Sequence, residues 1–245
     1  MSSKAKEILS KAWRITKRVF LFLFIAQFVY IILLRWINPP VTLTQLYSLI
    51  TGHGLKRQYV DAADMSYNAK LAVICSEDQL FADHNGFDFK SIEKAMKHNS
   101  RSRSLRGAST ISQQTAKNVF LWQGRSWLRK GLEVYFTFMI ELCWSKKRIL
   151  EVYMNVAEMG DGVFGIEAAA KKNFRKSAAR LSAQESAMIA ACLPNPKKYS
   201  IHPLAAPVAS RYPWIMHQMN NLSGDEDLDE ILLTPKTVIK EKSAK

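Results

Sequence analysis

At 245 residues with 48% hydrophobic side chains, the chain can bury a substantial core, which excludes disorder as its main state. Its 35 Lys and Arg against 21 Asp and Glu leave a formal net charge of +14, so its partners are anionic: nucleic acid, acidic lipid headgroups or phosphorylated substrates. Charge alone does not choose among them, so the choice falls to the order of elements along the chain.

The first segment decides much. Residues 1–18 carry Lys4, Lys6, Lys11, Arg14, Lys17 and Arg18 against Glu7, and "VFLFLFIAQFVYIILL", residues 19–34, follows with Gln27 as its one polar residue. Arg35 can snorkel outward and Trp36 suits an interface, so the apolar stretch reaches Ile37, near the ~20 residues that a spanning helix needs. The run predicts a transmembrane helix over 19–37, and the positive-inside bias keeps residues 1–18 cytoplasmic and exports the rest. It is longer than the apolar region of a signal peptide, and Asn38-Pro39-Pro40 stands where a small-residue cleavage site would be.

A polar linker, 38–54, leads to one helical domain over 55–222 and a C-terminal tail over 223–245. "AKLAVICS" (69–76), "SIEKAMKHN" (91–99), "SWLRKGLEVYFTFMIELCW" (126–144), "SKKRILEVYMNVAEM" (145–159) and "FGIEAAAKKNF" (164–174) read as helices by their apolar spacing. The stretch from Val134 to Trp144 is apolar nearly all round, as in a buried helix. "SAQESAMIAACL" (182–193) begins with a capping box, Ser182 and Glu185. Pro194 and Pro196 then force an irregular segment, and a last helix over 210–222 tolerates Pro213 in its first turn. Gly160 and Gly162 end the helix before them. No run of alternating strands is evident, and the tail should be poorly ordered. Cys75, Cys143 and Cys192 lack metal-ligand spacing and sit beside apolar neighbours, so they read as buried thiols, with a disulfide between two of them left open.

Four stretches carry chemistry. "EDQLFADHNGFDF" (77–89) places Glu77 at the edge of an apolar helix, a setting that suits a general base or acid, while Asp78, His84, Gly86 and Asp88 suit either a site or a polar turn. "GASTISQQTAKN" (107–118) is dense in neutral hydrogen-bonding groups, as a sugar cleft would be, and carries one cation, Lys117. "GRSWLRKGLE" (124–133) sets Arg125, Arg129 and Glu133 on one helical face, where with Lys117 the arginines could hold a pyrophosphate. "KKRILEVYMNVAEMGDGVFGIEAAA" (146–170) reads mostly as scaffold.

In this order the four stretches resemble the family 51 glycosyltransferases, peptidoglycan glycosyltransferases found alone or as the front domain of bifunctional penicillin-binding proteins. ED-x-x-F-x-x-H-x-G-x-D is matched by Glu77, Asp78, Phe81, His84, Gly86 and Asp88. G-x-S-T-I-x-Q-Q-x-x-K-N runs from Gly107 to Asn118, R-K-x-x-E from Arg129 to Glu133, and K-x-x-I-L-E-x-Y-x-N from Lys146 or Lys147 to Asn155. Ala108 departs from the commoner second glycine. The absence of K-T-G implies a monofunctional member.

The resemblance implies an all-α (mainly α), lysozyme-like helical domain with a small membrane-proximal jaw, on one N-terminal transmembrane helix. "NVFLW" (118–122) and the basic stretch before Gly107 are placed in that jaw. It implies Glu77 as the base and Glu133 as the second essential carboxylate. Lys117, Arg125 and Arg129 would line the donor's pyrophosphate, and Ser109, Thr110, Gln114 and Asn118, with Asp78 and His84, would complete substrate binding. The implied substrates are lipid II and the growing glycan strand. No cofactor is obligatory; a divalent cation, Mg or Mn, is an optional addition at the pyrophosphate, and no metal ligand is firmly assigned. Membrane lipids and other cell-wall synthesis or division proteins are the implied partners, nucleic acid is not, and the location is the bacterial inner membrane with a periplasmic catalytic domain. Two alternatives stay open: a lytic muramidase on a lysozyme-like fold, and a non-enzymatic basic membrane protein.

Overall fold

The structure, a computed structural model, describes residues 3–102, 107–124 and 126–233. The chain divides into two compact units, Met1–Asn38 and Pro39–Lys245. The first is built on α1 (Ser3–Leu33), in which Leu9–Leu33, 25 residues, is long and apolar enough to cross a membrane. Its helix stops at Leu33, four residues short of the expected Ile37, and the chain continues through a turn over residues 34–36.

The second unit is mainly helical, as the sequence indicates. It contains α2 (Leu43–Ile50), β1 (Lys56–Arg57), α3 (Tyr67–Glu77), α4 (Phe89–Asn99), α5 (Ile111–Phe120), α6 (Trp127–Cys143), α7 (Lys146–Val156), β2 (Glu158–Gly160), β3 (Val163–Phe164), α8 (Ile166–Phe174), α9 (Ala183–Cys192), α10 (Ala206–Leu222) and α11 (Glu226–Leu232). Helix starts follow local chemistry: Ser66, Asp88, Thr110, Ser126, Ser145 and Ser182 each accept a hydrogen bond from the backbone N–H three residues on, worth about 1 kcal/mol apiece. The Ser182–Glu185 capping box is present. Two packing groups form the core. In one, α3 lies against α9 and α10; in the other, α5 lies against α6 and α7.

Several expectations need correction. The polar linker contains α2, started by a capping box between Thr42 and Gln45. A small three-stranded sheet of order β1-β3-β2 exists, with β1 parallel and β2 antiparallel to β3. Gly160 and Gly162 do not end a helix; α7 stops at Val156, and the two glycines belong to the β2–β3 hairpin. There Gly162 has φ +64°, and an added Cβ would lie 2.0 Å from the His53 carbonyl oxygen. Helix α10 starts at Ala206 with Pro207 in its first turn, which leaves Pro213 inside the helix. The acidic part of the tail folds as α11, capped by Asp225 and burying Leu228, Ile231 and Leu232. Tyr67 donates to Asp229 Oδ1 at 2.6 Å, and the buried Lys70 ammonium donates to the Leu232 carbonyl. Finally α6 is covered on one face only: Val134, Phe138 and Leu142, each four residues from the last, are exposed. Of the segments placed in a jaw, Leu121 is buried and Trp122 exposed, while residues 103–106 lie outside the described ones.

The three cysteines are free, with Cys75 and Cys192 buried. Burial pushes their thiols up to about 12 and about 11 respectively, so both remain protonated and unreactive.

Asn155 joins the chain's two halves. Fully buried, it accepts from Val60 N–H at 3.0 Å and donates to Val60 O at 2.9 Å and Glu151 O at 3.0 Å. Asn155→Ala leaves the Val60 groups unpaired and should lower stability by about 2–4 kcal/mol in urea unfolding.

Candidate active site

Glu77 ends α3, whose preceding residues Ala69–Cys75 are buried. A core helix thus delivers a carboxylate to its edge. The chain then turns at Asp78, and this turn is held from several sides. Asp78 Oδ2 accepts from Ile111 N–H at 2.9 Å, and Oδ1 pairs with His84 Nε2 at 2.9 Å. Because Gly86 N–H donates to His84 Nδ1 at 3.1 Å, the ring proton resides on Nε2 and points at Asp78. Thr110 donates to Gly86 O at 2.7 Å while its hydroxyl caps α5. Gly86 has φ +85°, and a Cβ there would stand 2.8 Å from Thr137 Cγ2 and 2.9 Å from Glu141 Cγ. Asp88 caps α4, and fully buried Phe81 lies beneath the Lys146 ammonium, 4.6 Å from the ring centroid.

Glu77 itself is half-buried and held mainly by neutral donors. Ser76 Oγ reaches Oε1 at 2.9 Å, and Gln114 Nε2 donates to Oε2 at 2.9 Å. The Arg211 guanidinium stands farther off, at 3.9 Å from Oε1, and spends Nη2 on Ser76 O at 3.0 Å. A cavity of about 840 Å³ opens over this carboxylate, lined by Ser109, Gln114, Arg211 and Trp214 among others. A neighbouring cavity of about 330 Å³ reaches Asp78, Asp88 and Lys94.

Glu133 has a different environment. It is buried, with Arg129 Nη1 on Oε2 at 2.9 Å and Lys130 Nζ on Oε1 at 2.5 Å. Lys117 is held below the ordinary lysine value, first by burial; Glu133 and Glu77 pull it back up, while Arg129 and Lys130 push it further down. One ammonium therefore feels both carboxylates. Among the described residues the buried Nε of Arg129 has no hydrogen-bond partner, a donor available to a ligand.

Of the residues singled out in the sequence, Glu77, Ser109 and Gln114 meet at the larger cavity, and Lys117, Arg129 and Glu133 form the charged cluster. Asn118 is buried on α5 and lines neither cavity. Asp78, His84 and Thr110 are engaged in the loop's own hydrogen bonds, as scaffold groups would be. Arg125 lies outside the described residues. Arg211 and Trp214 escape a reading by motif chemistry, and Lys130, the lysine of the R-K-x-x-E match, was given no role in it. Lys130 also had a local signal, standing three residues before Glu133.

Comparison with known proteins gives a match to the family described as Transglycosylase over residues 44–220. A biosynthetic peptidoglycan transglycosylase of Salmonella enteritidis PT4 is 57% identical over 175 residues, 71% of this chain and 72% of the relative. One of Salmonella typhi is 56% identical over the same shares. Another, from Pseudomonas putida F1, is 46% identical over 230 residues, 91% of this chain and 98% of that protein.

The Asp78 bonds generate a prediction. In Asp78→Asn the amide can still accept from Ile111, but its NH₂ then opposes the His84 Nε2–H, whose other nitrogen is committed to Gly86. Stability should fall by about 2 kcal/mol in denaturant unfolding.

Proposed function

We infer that Glu77 is the catalytic base, from the premise that this chain belongs to the transglycosylase family and is a peptidoglycan glycosyltransferase. The observation that carries the inference is the contrast between the two carboxylates. Glu133 is neutralised by two cations at 2.9 and 2.5 Å, whereas Glu77 is fixed by a hydroxyl and an amide and faces the cavity. A carboxylate ion-paired on both oxygens must break a pair to meet a substrate proton; one held by a hydroxyl and an amide and open to the cavity is placed to receive it.

In this reading the acceptor is lipid II and the donor is the growing strand. Glu77 removes the proton from the GlcNAc 4-hydroxyl as that oxygen attacks the anomeric carbon of the strand's terminal MurNAc. Undecaprenyl pyrophosphate leaves from the opposite face, so the linkage inverts from α to β. Charge builds on the departing pyrophosphate, and Lys117, Arg125 and Arg129 neutralise it, joined by Lys130. Glu133 keeps Arg129 and Lys130 in place. Ser109 and Gln114 serve the sugar side, while Asp78, His84 and Thr110 hold the loop that presents Glu77.

The protein side chains do not fit a resident metal. Among the described residues no three His, Cys, Asp or Glu side chains come together as ligands, and Glu133 is already ion-paired. A Mg or Mn ion at this site would be held by the pyrophosphate oxygens, and no step here passes through one.

The membrane setting follows the same reading. The apolar part of α1 is the membrane span, with residues 1–18 cytoplasmic and the catalytic unit on the periplasmic side of the inner membrane. The exposed Val134, Phe138 and Leu142 support a domain that dips into lipid. A lytic muramidase has no use for a cationic cluster beside its glutamate.

Glu77→Gln should abolish polymerisation of labelled lipid II while the thermal midpoint stays put; retained polymerisation would sink the assignment. A second expectation concerns pH. Lys117 serves as a cation, and its value lies below that of ordinary lysine, so the rate should decline on the alkaline side before pH ~10.4. Lys117→Arg, which stays charged, should move that decline to higher pH if it folds and turns over.

A further inference from the structure

We propose that Tyr153 is a positioning residue for Glu77, acting through Gln114; the proposal rests on reading Glu77 as the base. Tyr153 stands on α7, 39 positions from Gln114 in sequence, and its side chain is 1% exposed. Its hydroxyl lies 3.2 Å from Gln114 Oε1, and Gln114 Nε2 lies 2.9 Å from Glu77 Oε2. A carboxylate only accepts, so it demands the NH₂ end of the amide. The carbonyl end must then face Tyr153, which has to donate. The polarity of the whole relay, phenol to amide to carboxylate, is fixed in one direction.

Burial, with the charges of Glu77 and Asp78, holds the phenol well above its ordinary value, so it remains a donor throughout the working pH range. Without that donor the Gln114 amide loses what selects its orientation. A flipped amide would set its oxygen against the Glu77 carboxylate, acceptor against acceptor. The relay therefore favours the deprotonated, correctly aimed form of the base. Other charged or titratable groups also face Glu77: Lys117 from α5, Arg211 from α10 at 3.9 Å, and adjacent Asp78. Tyr153 differs from them in reaching Glu77 through the amide.

The test is lipid II polymerisation by the full chain, measured from pH 5 to 9, for wild type, Tyr153→Phe, Gln114→Leu and the double variant. Tyr153→Phe should lower kcat about tenfold with KM within about twofold. The acidic limb of kcat/KM should move to higher pH, because a hydrogen bond that favours the charged base has been lost. Gln114→Leu should move the limb in the same direction, and adding Tyr153→Phe to it should move the limb no further. The proposal is overturned by a wild-type limb in Tyr153→Phe, by a rate loss that only tracks the folded fraction, or by limb shifts that add in the double variant. If Tyr153→Phe does not fold, Gln114→Leu alone decides, and an unmoved limb there overturns the proposal. Glu77→Gln separates the two levels: if it stays active the base assignment fails, and if it is dead while Tyr153→Phe has a wild-type limb, only the relay fails.

Discussion

The Asp78 carboxylate is the constraint on which the site depends. One side chain, buried and bonded to Ile111 N–H and His84 Nε2, ties the end of α3 to the start of α5 across 33 positions of sequence. Glu77 and Gln114 sit one turn or less from those anchor points, so their 2.9 Å contact follows from the tie. The loop closes only because Gly86 supplies a positive φ in a space bounded by Thr137 and Glu141. Lys146 completes the enclosure, donating to Glu141 at 2.8 Å and to the His84 carbonyl at 2.5 Å. Backbone, helix cap and charged network thus agree on one position for Glu77.

Two glutamates of the same chemical type stand in different surroundings. Arg129 and Lys130 saturate Glu133, which turns it into an organiser of cations. Glu77 lies 3.9 Å from Arg211 and otherwise meets neutral donors, so it can take up a proton without breaking a close ion pair. Part of the chain's basic excess, +14, gathers where Lys117, Arg129 and Lys130 surround Glu133.

Much of this was legible in sequence because the signals are local. Apolar "AKLAVICS" followed by Glu77 announces a carboxylate at a core edge, the four-residue step from Arg129 to Glu133 announces a shared helical face, and Ser182 with Glu185 announces a helix start. What escaped depended on tertiary context or on weak spacing. The box at Thr42 and Gln45 follows two prolines and was masked by them. Strands of two or three residues are too short to show a period. α11 forms because Tyr67, Lys70 and buried apolar neighbours receive it, which no window of 225–232 reveals. Arg211 comes from a helix 135 residues beyond Ser76, and only folding brings them together.

The central claim is that a carboxylate at this position, at this reach, does the proton transfer. Glu77→Asp keeps the charge and withdraws it by one methylene from Gln114 and the cavity. The account predicts that kcat for lipid II polymerisation falls by about 10²-fold with the thermal midpoint unchanged, and a rate within about twofold of wild type would contradict it.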